Sequence, residues 1–441
     1  MLRKVLVLAC AALALGAGAV FCLREDADAR FERALGDRPL AALLDETPAL
    51  DQALQERLWR LIRSDEPWST GHAASPDDDW YLSGEESPPA SFASEHERLR
   101  PAMTDLTEIL ATDRACLTSI GWIDRGPQRG RAVLQGWRLR NASWPMLRAA
   151  AHWYAHEALC ADEPTLALSR LRQLCVALSH PGTVRDRVGS ALVGWVRDRT
   201  HLMMLLRGRI ASDLVEAWLS EPCREIEVLA QGVRLERALY ATTVGEDLER
   251  ERHLDWSEDI DLEERVRLWW QGKGEVAAWL ELCDAFEAYL RGADSAEHVR
   301  SLEADVHARN GSPLVMRHYH AALLDEALLG NARHRLARTA GRVLQLHRQR
   351  GRLPADATEL RKWMAGGASL LDHGTLELAV TYERLSESAF RVRVDPDTPT
   401  PDLLPASAMD RVREEQGQRP MRTGALRWHL PHVMELHVPR Q

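Results

Sequence analysis

A helical pattern of apolar residues runs almost without a break from Trp144 to about Arg350, and this pattern most constrains how the chain can fold. Leu, Ile, Val, Ala and Trp recur there at every third or fourth position, a spacing that places them on one face of an α-helix. The connections are short, as at His180-Pro181-Gly182, so consecutive helices are predicted to be antiparallel neighbours. No fixed repeat period is present. The pattern therefore predicts an irregular antiparallel helical bundle or a short solenoid-like stack.

Composition agrees with a helical fold and excludes several classes of protein. The chain of 441 residues is 45% hydrophobic, which excludes wholesale disorder, and the strand formers Phe and Tyr number only 5 and 6. Its net charge of -10 opposes general binding to nucleic acid, because affinity for phosphates requires an excess of positive charge. We therefore expect no nucleic-acid partner.

The C-terminal tail changes character and predicts a small antiparallel β element. Residues 375–384 (TLELAVTYER) alternate between apolar and polar, and residues 389–394 (AFRVRV) do so again after a short polar turn. This combination is typical of a β-hairpin. Two later stretches, Leu426–Leu430 and Met434–Val438, predict additional edge strands. The predicted fold class is thus mainly α, with a small C-terminal antiparallel β element.

The N-terminus carries an uncharged run of 19 residues, Val5–Leu23, directly after Arg3 and Lys4. As a helix this run is about 28 Å long, which spans a thin hydrocarbon core. The two cations favour the cytoplasmic side, so the bulk of the chain is predicted to lie on the periplasmic side of the inner membrane. The alternative is a signal peptide cleaved near Ala19, which would leave a periplasmic or secreted protein.

These patterns divide the chain into five predicted segments. The division rests on the shift from apolar run to helical pattern, on a stretch rich in Ser, Pro, Gly and Asp, and on the change to strand-like alternation. The segments are a transmembrane anchor or signal peptide at 1–23, a helical stalk at 24–64, a linker or long loop at 65–92, a helical body at 93–350 and a small α+β tail at 351–441.

The start of the tail, Gly351–Leu360 (GRLPADATEL), carries a recognisable motif. A long helix that ends in G-x-x-P, followed by a short helix with Leu and then a strand hairpin, resembles the tails of uncharacterised bacterial helical envelope proteins. It is also similar, more distantly, to the stretch after the long helix of type II secretion pseudopilins. The resemblance implies this order of elements in the tail, and it implies no catalytic residues.

His152 and His156 are the sharpest candidates for metal ligands. They stand four residues apart in a predicted helix and so share one face, as histidines do in zinc-binding helices. In the H-E-x-x-H motif the general-base Glu follows the first His, whereas Glu157 follows the second one here. A third ligand would have to come from elsewhere. The alternative is a pair of ordinary core or surface histidines, and no cofactor is expected.

A basic helical stretch at 312–352 is the candidate interaction surface. One interpretation is docking to an acidic protein partner or to anionic headgroups. The alternative, which we favour, is internal pairing with the acidic segment 246–264, because opposite charges in one chain attract at short range. The candidate residues are Arg333, Arg335, Arg338 and Arg342.

The chain lacks the local motifs of the common hydrolases and nucleotide-binding enzymes. No G-x-S-x-G, P-loop, G-x-G-x-x-G or S-x-x-K sequence occurs. The leading hypothesis is therefore a non-enzymatic, membrane-anchored, envelope-facing helical protein with a scaffold or protein-interaction role. The alternative is an exported hydrolase whose carboxylates and histidines are dispersed in the sequence. A deep cleft with convergent His and acidic side chains would favour that alternative.

Overall fold

The computed structural model of the protein describes residues 26–36, 52–63, 90–112, 115–118, 146–160, 164–179, 182–221, 224–241, 262–308, 320–364, 370–372, 376–395, 421–423, 426–429 and 433–438. Within these ranges the protein is mainly helical, with a small antiparallel sheet near the C-terminus, which confirms the predicted fold class. The predicted membrane segment at 5–23 lies outside the described residues. Among the helices that the structure describes, none is long and apolar enough to span a bilayer.

Twelve helices occupy most of the described ranges. They are α1 (26–35), α2 (Gln52–Arg63), α3 (Ala90–Leu110), α4 (146–160), α5 (Pro164–Ser179), α6 (Val184–Leu206), α7 (Ser212–Leu219), α8 (Glu225–Tyr240), α9 (Leu262–Leu290), α10 (Ala296–Ala308), α11 (His320–Arg350) and α12 (Ala357–Trp363).

The chain forms two compact units, each built from two stretches of sequence. Unit 1 comprises Met1–Glu46 and Val233–His320, and unit 2 comprises Thr47–Gly232 and Ala321–Gln441. The segment predicted as one helical body, 93–350, therefore contributes to both units. The five-segment division of the chain stays a prediction, since most of its proposed linker lies outside the described residues.

Helix α6 is defined at both ends by side-chain and backbone signals. At its start the Thr183 backbone N–H donates to Asp186 Oδ2 at 2.6 Å, one half of a capping box. At its end Gly208 adopts a positive φ of 71°, the left-handed conformation that commonly ends a helix and that glycine accepts without strain. These signals fix the length of the helix that carries Arg197 and Asp198 into the core.

Helix α11, the longest in the described ranges, leads directly into the tail. It ends where Gly351 takes a φ of 73°, and the chain then places Leu353 and Pro354 in the core. The hydroxyl of Tyr382, on the first strand, donates to the Pro354 carbonyl oxygen at 2.8 Å. The G-x-x-P motif thus redirects the chain from α11 towards the sheet.

Within the described residues the sheet has five antiparallel strands, β1 (Val380–Arg384), β2 (Ala389–Val394), β3 (Met421–Thr423), β4 (Leu426–His429) and β5 (Val433–His437). Their order in the sheet is β1-β2-β5-β4-β3. The predicted hairpin is present, because Tyr382 on β1 pairs with Val392 on β2. Both later stretches were predicted to be edge strands, and this detail is wrong: β5 pairs with β2 and β4, and β4 pairs with β5 and β3, so β1 and β3 form the edges.

Helices α7 and α11 approach closely at Gly341. A Cβ atom placed at Gly341 would lie 2.6 Å from Trp218 Cζ3 and 3.1 Å from Leu219 Cδ2, closer than carbon atoms pack. Trp218 is 2% exposed, so its ring has little room to retreat. A residue without a side chain is therefore required at this contact.

We predict that Gly341→Ala destabilises the protein by about 1–3 kcal/mol through overpacking against Trp218. Gly330→Ala on the same helix is the matched control, because its Cβ would meet Ala191 Cβ at an ordinary 3.8 Å. That control should be neutral or stabilising by roughly 0.5–1 kcal/mol, since Ala is the better helix former. Urea unfolding followed by circular dichroism measures both. Equal stability of the two variants would contradict the close contact.

Candidate functional site

A completely buried carboxylate, that of Asp198 on α6, lies in the interior of unit 2. Its Oδ1 accepts hydrogen bonds from Arg197 Nη2 at 2.9 Å and from Trp218 Nε1 at 2.9 Å. Its Oδ2 accepts a hydrogen bond from His334 Nδ1. Burial alone would raise the pKa of Asp198, but the positive charges of Arg197 and His334 hold that pKa well below its usual value. Asp198 is therefore ionised in the folded protein.

His334, on α11, is held between two carboxylates. While Nδ1 donates to Asp198, Nε2 lies 3.0 Å from Glu225 Oε1. Burial opposes the charged form, but Glu225 and Asp198 outweigh it and raise the pKa of His334 to about 9. Gly194 makes room for the ring, since a Cβ there would lie 2.7 Å from His334 Cε1. The imidazole is thus protonated at neutral pH with both nitrogens engaged.

Two arginines extend this network to the residues between α7 and α8. Arg197 Nη1 donates to Glu221 Oε2 at 2.8 Å, and Arg338 Nη1 donates to the Glu221 backbone carbonyl. Arg338 is only 3% exposed, so its charge is carried inside the fold. Together these contacts join α6, α11 and the start of α8 through charged groups.

A cavity of about 340 Å³ opens beside this network, within unit 2. Its walls come from α5, α6, α8 and α11, with apolar side chains such as Leu192 and Trp195 beside the charged ones. Six cationic side chains line it against two carboxylates, and the Asp198 carboxylate lies in contact with two of those cations. The cationic lining residues are Arg187, Arg197, Arg224, Arg333, His334 and Arg338, and the carboxylates are Glu221 and Glu225.

The four arginines of the candidate interaction surface have different environments. Arg335 donates to the Leu378 carbonyl at 2.8 Å and, like Arg338, is 3% exposed. Arg333 lines the cavity, and Arg342 Nη1 donates to Glu216 Oε2 at 2.9 Å. Most of the predicted acidic partner segment, 246–264, lies outside the described residues. An interaction role for these arginines stays a prediction, and two of them are engaged inside the fold.

A second group of chemically active side chains joins α3 to α4. Atoms of His96, His156 and Glu157 that could ligate a metal all lie within 4.8 Å of one another. His152, predicted as the partner of His156, is not in this group; its side chain is half-buried, and desolvation lowers its pKa to about 3. The structure thus brings together one predicted ligand, His156, with two residues that the sequence pattern did not select.

Sequence reasoning missed Asp198, Glu225 and His334 as partners because they are far apart in the chain. One signal was present: Arg197-Asp198 interrupts the apolar pattern of α6, with Val193, Val196 and Leu202 buried around it. Charged residues among core positions of a helix need partners inside the fold. That signal indicates a buried pair, but it does not indicate which residues complete it.

We predict that the stability of the protein falls as the pH rises from about 6.5 to 9.5. The pKa of His334 is about 9 in the folded protein against an ordinary 6.5, so the folded state holds this proton more tightly. Its contribution is complete below pH 6.5 and disappears above about pH 9, a change of up to about 3 kcal/mol. Urea unfolding at a series of pH values measures this decline.

His334→Gln should be less stable than the wild type at pH 6 and should lack the decline between pH 6.5 and 8.5, below the range in which the buried thiols of Cys175 and Cys283 contribute. His298→Gln is the control, because His298 is an exposed residue on α10, and it should keep the wild-type pH dependence. A wild-type free energy of unfolding that stays constant from pH 6 to 9.5 would show that the His334 proton is not held by Asp198 and Glu225.

Comparison with known proteins leaves the site to be interpreted from its own geometry. No family model, no curated protein and no solved structure matches this chain.

Proposed function

We propose that this protein binds a small organic anion in the cavity of unit 2. The observation that carries the proposal is the charge of the lining, in which six cationic side chains face two carboxylates. Even when the buried Asp198 and Glu227, which lies 3.9 Å from Arg224 Nε, are counted with those carboxylates, two positive charges remain in excess. Guanidinium groups bind carboxylates and phosphates through paired, charge-assisted hydrogen bonds. The ligand class that fits is therefore a carboxylate or a phosphate.

The size and the walls of the cavity support a small ligand with an apolar part. A volume of about 340 Å³ lies at the lower end of the range for ligand pockets, roughly 300–1,000 Å³. Leu192, Trp195 and Val228 supply apolar surface beside the arginines. An inorganic ion alone would leave these walls uncovered, whereas a small organic anion covers them and reaches the charges.

Within the cavity, the geometry favours binding over the hydrolysis expected of the alternative, an exported hydrolase. A general base needs a free lone pair near neutral pH, but both nitrogens of His334 are engaged by carboxylates and its pKa is raised to about 9. Glu221 is engaged in turn by Arg197 at 2.8 Å. These groups hold one another in place rather than leaving a carboxylate or imidazole poised to activate water.

The setting that we propose is the one predicted from the sequence. A membrane-anchored helical protein on the periplasmic side of the inner membrane would meet small anions in that compartment. A protein partner that responds to the occupied cavity would unite ligand binding with the predicted scaffold or interaction role. The membrane anchor at 5–23, the periplasmic location and the protein partner remain predictions.

We expect benzoate and phenyl phosphate to raise the melting temperature of the full chain, whereas benzamide, an uncharged molecule of nearly the shape of benzoate, should not. The difference follows from the positive lining of the cavity. Arg333→Gln should weaken benzoate binding roughly tenfold, because one charge-assisted contact is lost. Thermal shift and isothermal titration calorimetry measure these effects.

Arg342→Gln is the matched control. It removes the same charge from the same helix, but Arg342 pairs with Glu216 and does not line the cavity. This variant should bind benzoate like the wild type. Equal effects of benzoate and benzamide, or equal losses in the Arg333 and Arg342 variants, would contradict an anion site in the cavity.

A further inference from the structure

We propose a second, independent site in unit 2: a Zn²⁺ site formed by His96 of α3 together with His156 and Glu157 of α4. None of these three residues lines the anion cavity, so the proposal does not rest on the proposed function. It replaces the pair His152 and His156, which was suggested by spacing alone, with a set of ligands drawn from two helices.

The donor atoms lie close to the spacing that a tetrahedral zinc ion requires. His96 Nε2 is 3.0 Å from Glu157 Oε1, and the ligand atoms of all three residues lie within 4.8 Å of one another. With zinc–ligand distances of about 2.0–2.2 Å, two ligands of one tetrahedral ion are roughly 3.4 Å apart. Small side-chain rotations therefore bring all three donors onto one ion.

The chemistry of the set favours a transition-metal ion such as Zn²⁺ over Mg²⁺ and Ca²⁺. Two imidazoles and one carboxylate are the protein ligands of a class of zinc sites in which water fills the fourth position. Two nitrogen donors disfavour Mg²⁺ and Ca²⁺, which prefer oxygen ligands. Glu157 is partly exposed, with 31% of its side chain accessible, so a metal and its water can reach the site from solvent.

The surroundings hold the first imidazole in place. The His96 ring stacks on Trp153 with ring centroids 4.5 Å apart and an angle of 2° between planes. Trp153 Nε1 also donates to the His96 carbonyl oxygen at 3.4 Å. The Thr107 hydroxyl lies 2.8 Å from the Tyr154 hydroxyl across the same pair of helices. Support of this kind orients metal ligands before the metal arrives. The contacts between α3 and α4 therefore hold His96 in an orientation suited to binding a metal ion.

The thiol of Cys160 lies beside His156 but is not one of the proposed zinc ligands. Cys160 Sγ lies 3.5 Å from His156 Nε2, one helical turn along α4. The group of atoms within 4.8 Å of one another does not include this sulfur. We therefore assign Cys160 to the outer surroundings of His156 and leave the fourth position to water.

The test uses the full chain without an affinity tag, stripped with EDTA and titrated with ZnCl₂. We expect one Zn²⁺ per chain by calorimetry and elemental analysis, and a melting temperature raised by a few degrees. His96→Ala and Glu157→Gln should each weaken binding by more than about 100-fold, because each removes a direct ligand. Millimolar Mg²⁺ should not compete.

Two control variants separate this site from other histidines. His298→Ala removes an exposed histidine that lies 2.7 Å from Asp294, a His–carboxylate pair in unit 1, and should bind Zn²⁺ like the wild type. His152→Gln should also retain the metal, and its circular dichroism spectrum checks that it folds. No stoichiometric Zn²⁺ in the wild type, full affinity in folded His96→Ala, or loss of the metal in folded His152→Gln would each overturn the proposal.

Discussion

The charge on Asp198 is the constraint on which the helical core of unit 2 depends. An ionised carboxylate with no exposed surface is tolerated only where donors and positive charges surround it. Asp198 takes these donors from three helices, namely from Arg197 on α6, Trp218 on α7 and His334 on α11. The arrangement of the three helices is therefore fixed by an electrostatic requirement as well as by apolar packing.

Arginine supplies most of the positive charge in the interior of this protein. The chain has three lysines among its 56 cationic residues, so nearly every buried cation is a guanidinium. A guanidinium has five N–H donors in a rigid plane and can serve several acceptors at once. Arg335 donates to the carbonyls of Leu378 and Leu370, and Arg338 donates to that of Glu221. Arginine side chains thus bind backbone carbonyls of the connecting segments to α11, and other arginines give the cavity its positive charge.

The sequence predicted the fold class because periodicity is a local property. The 3.6-residue pattern of the body corresponds to helices in the structure, and the alternation in 375–394 corresponds to the β1–β2 hairpin. The sites are not local. His334 lies 136 residues from Asp198, and His96 lies on a different helix from His156. Spacing along one helix therefore suggested His152, whereas packing between two helices selected His96. The composition of α6 indicated buried charge, but only the tertiary structure identifies its partners.

The separation between Asp198 and His334 has a consequence for biosynthesis. At a translation rate of about 5–20 residues per second, the ribosome needs roughly 7–27 s to add the 136 residues between them. During that interval the nascent α6 carries a carboxylate that lacks one of its counter-charges. Burying α6 before α11 emerges would leave Asp198 with Arg197 but without the His334 imidazolium, so we expect unit 2 to complete its packing only after α11 has been synthesised.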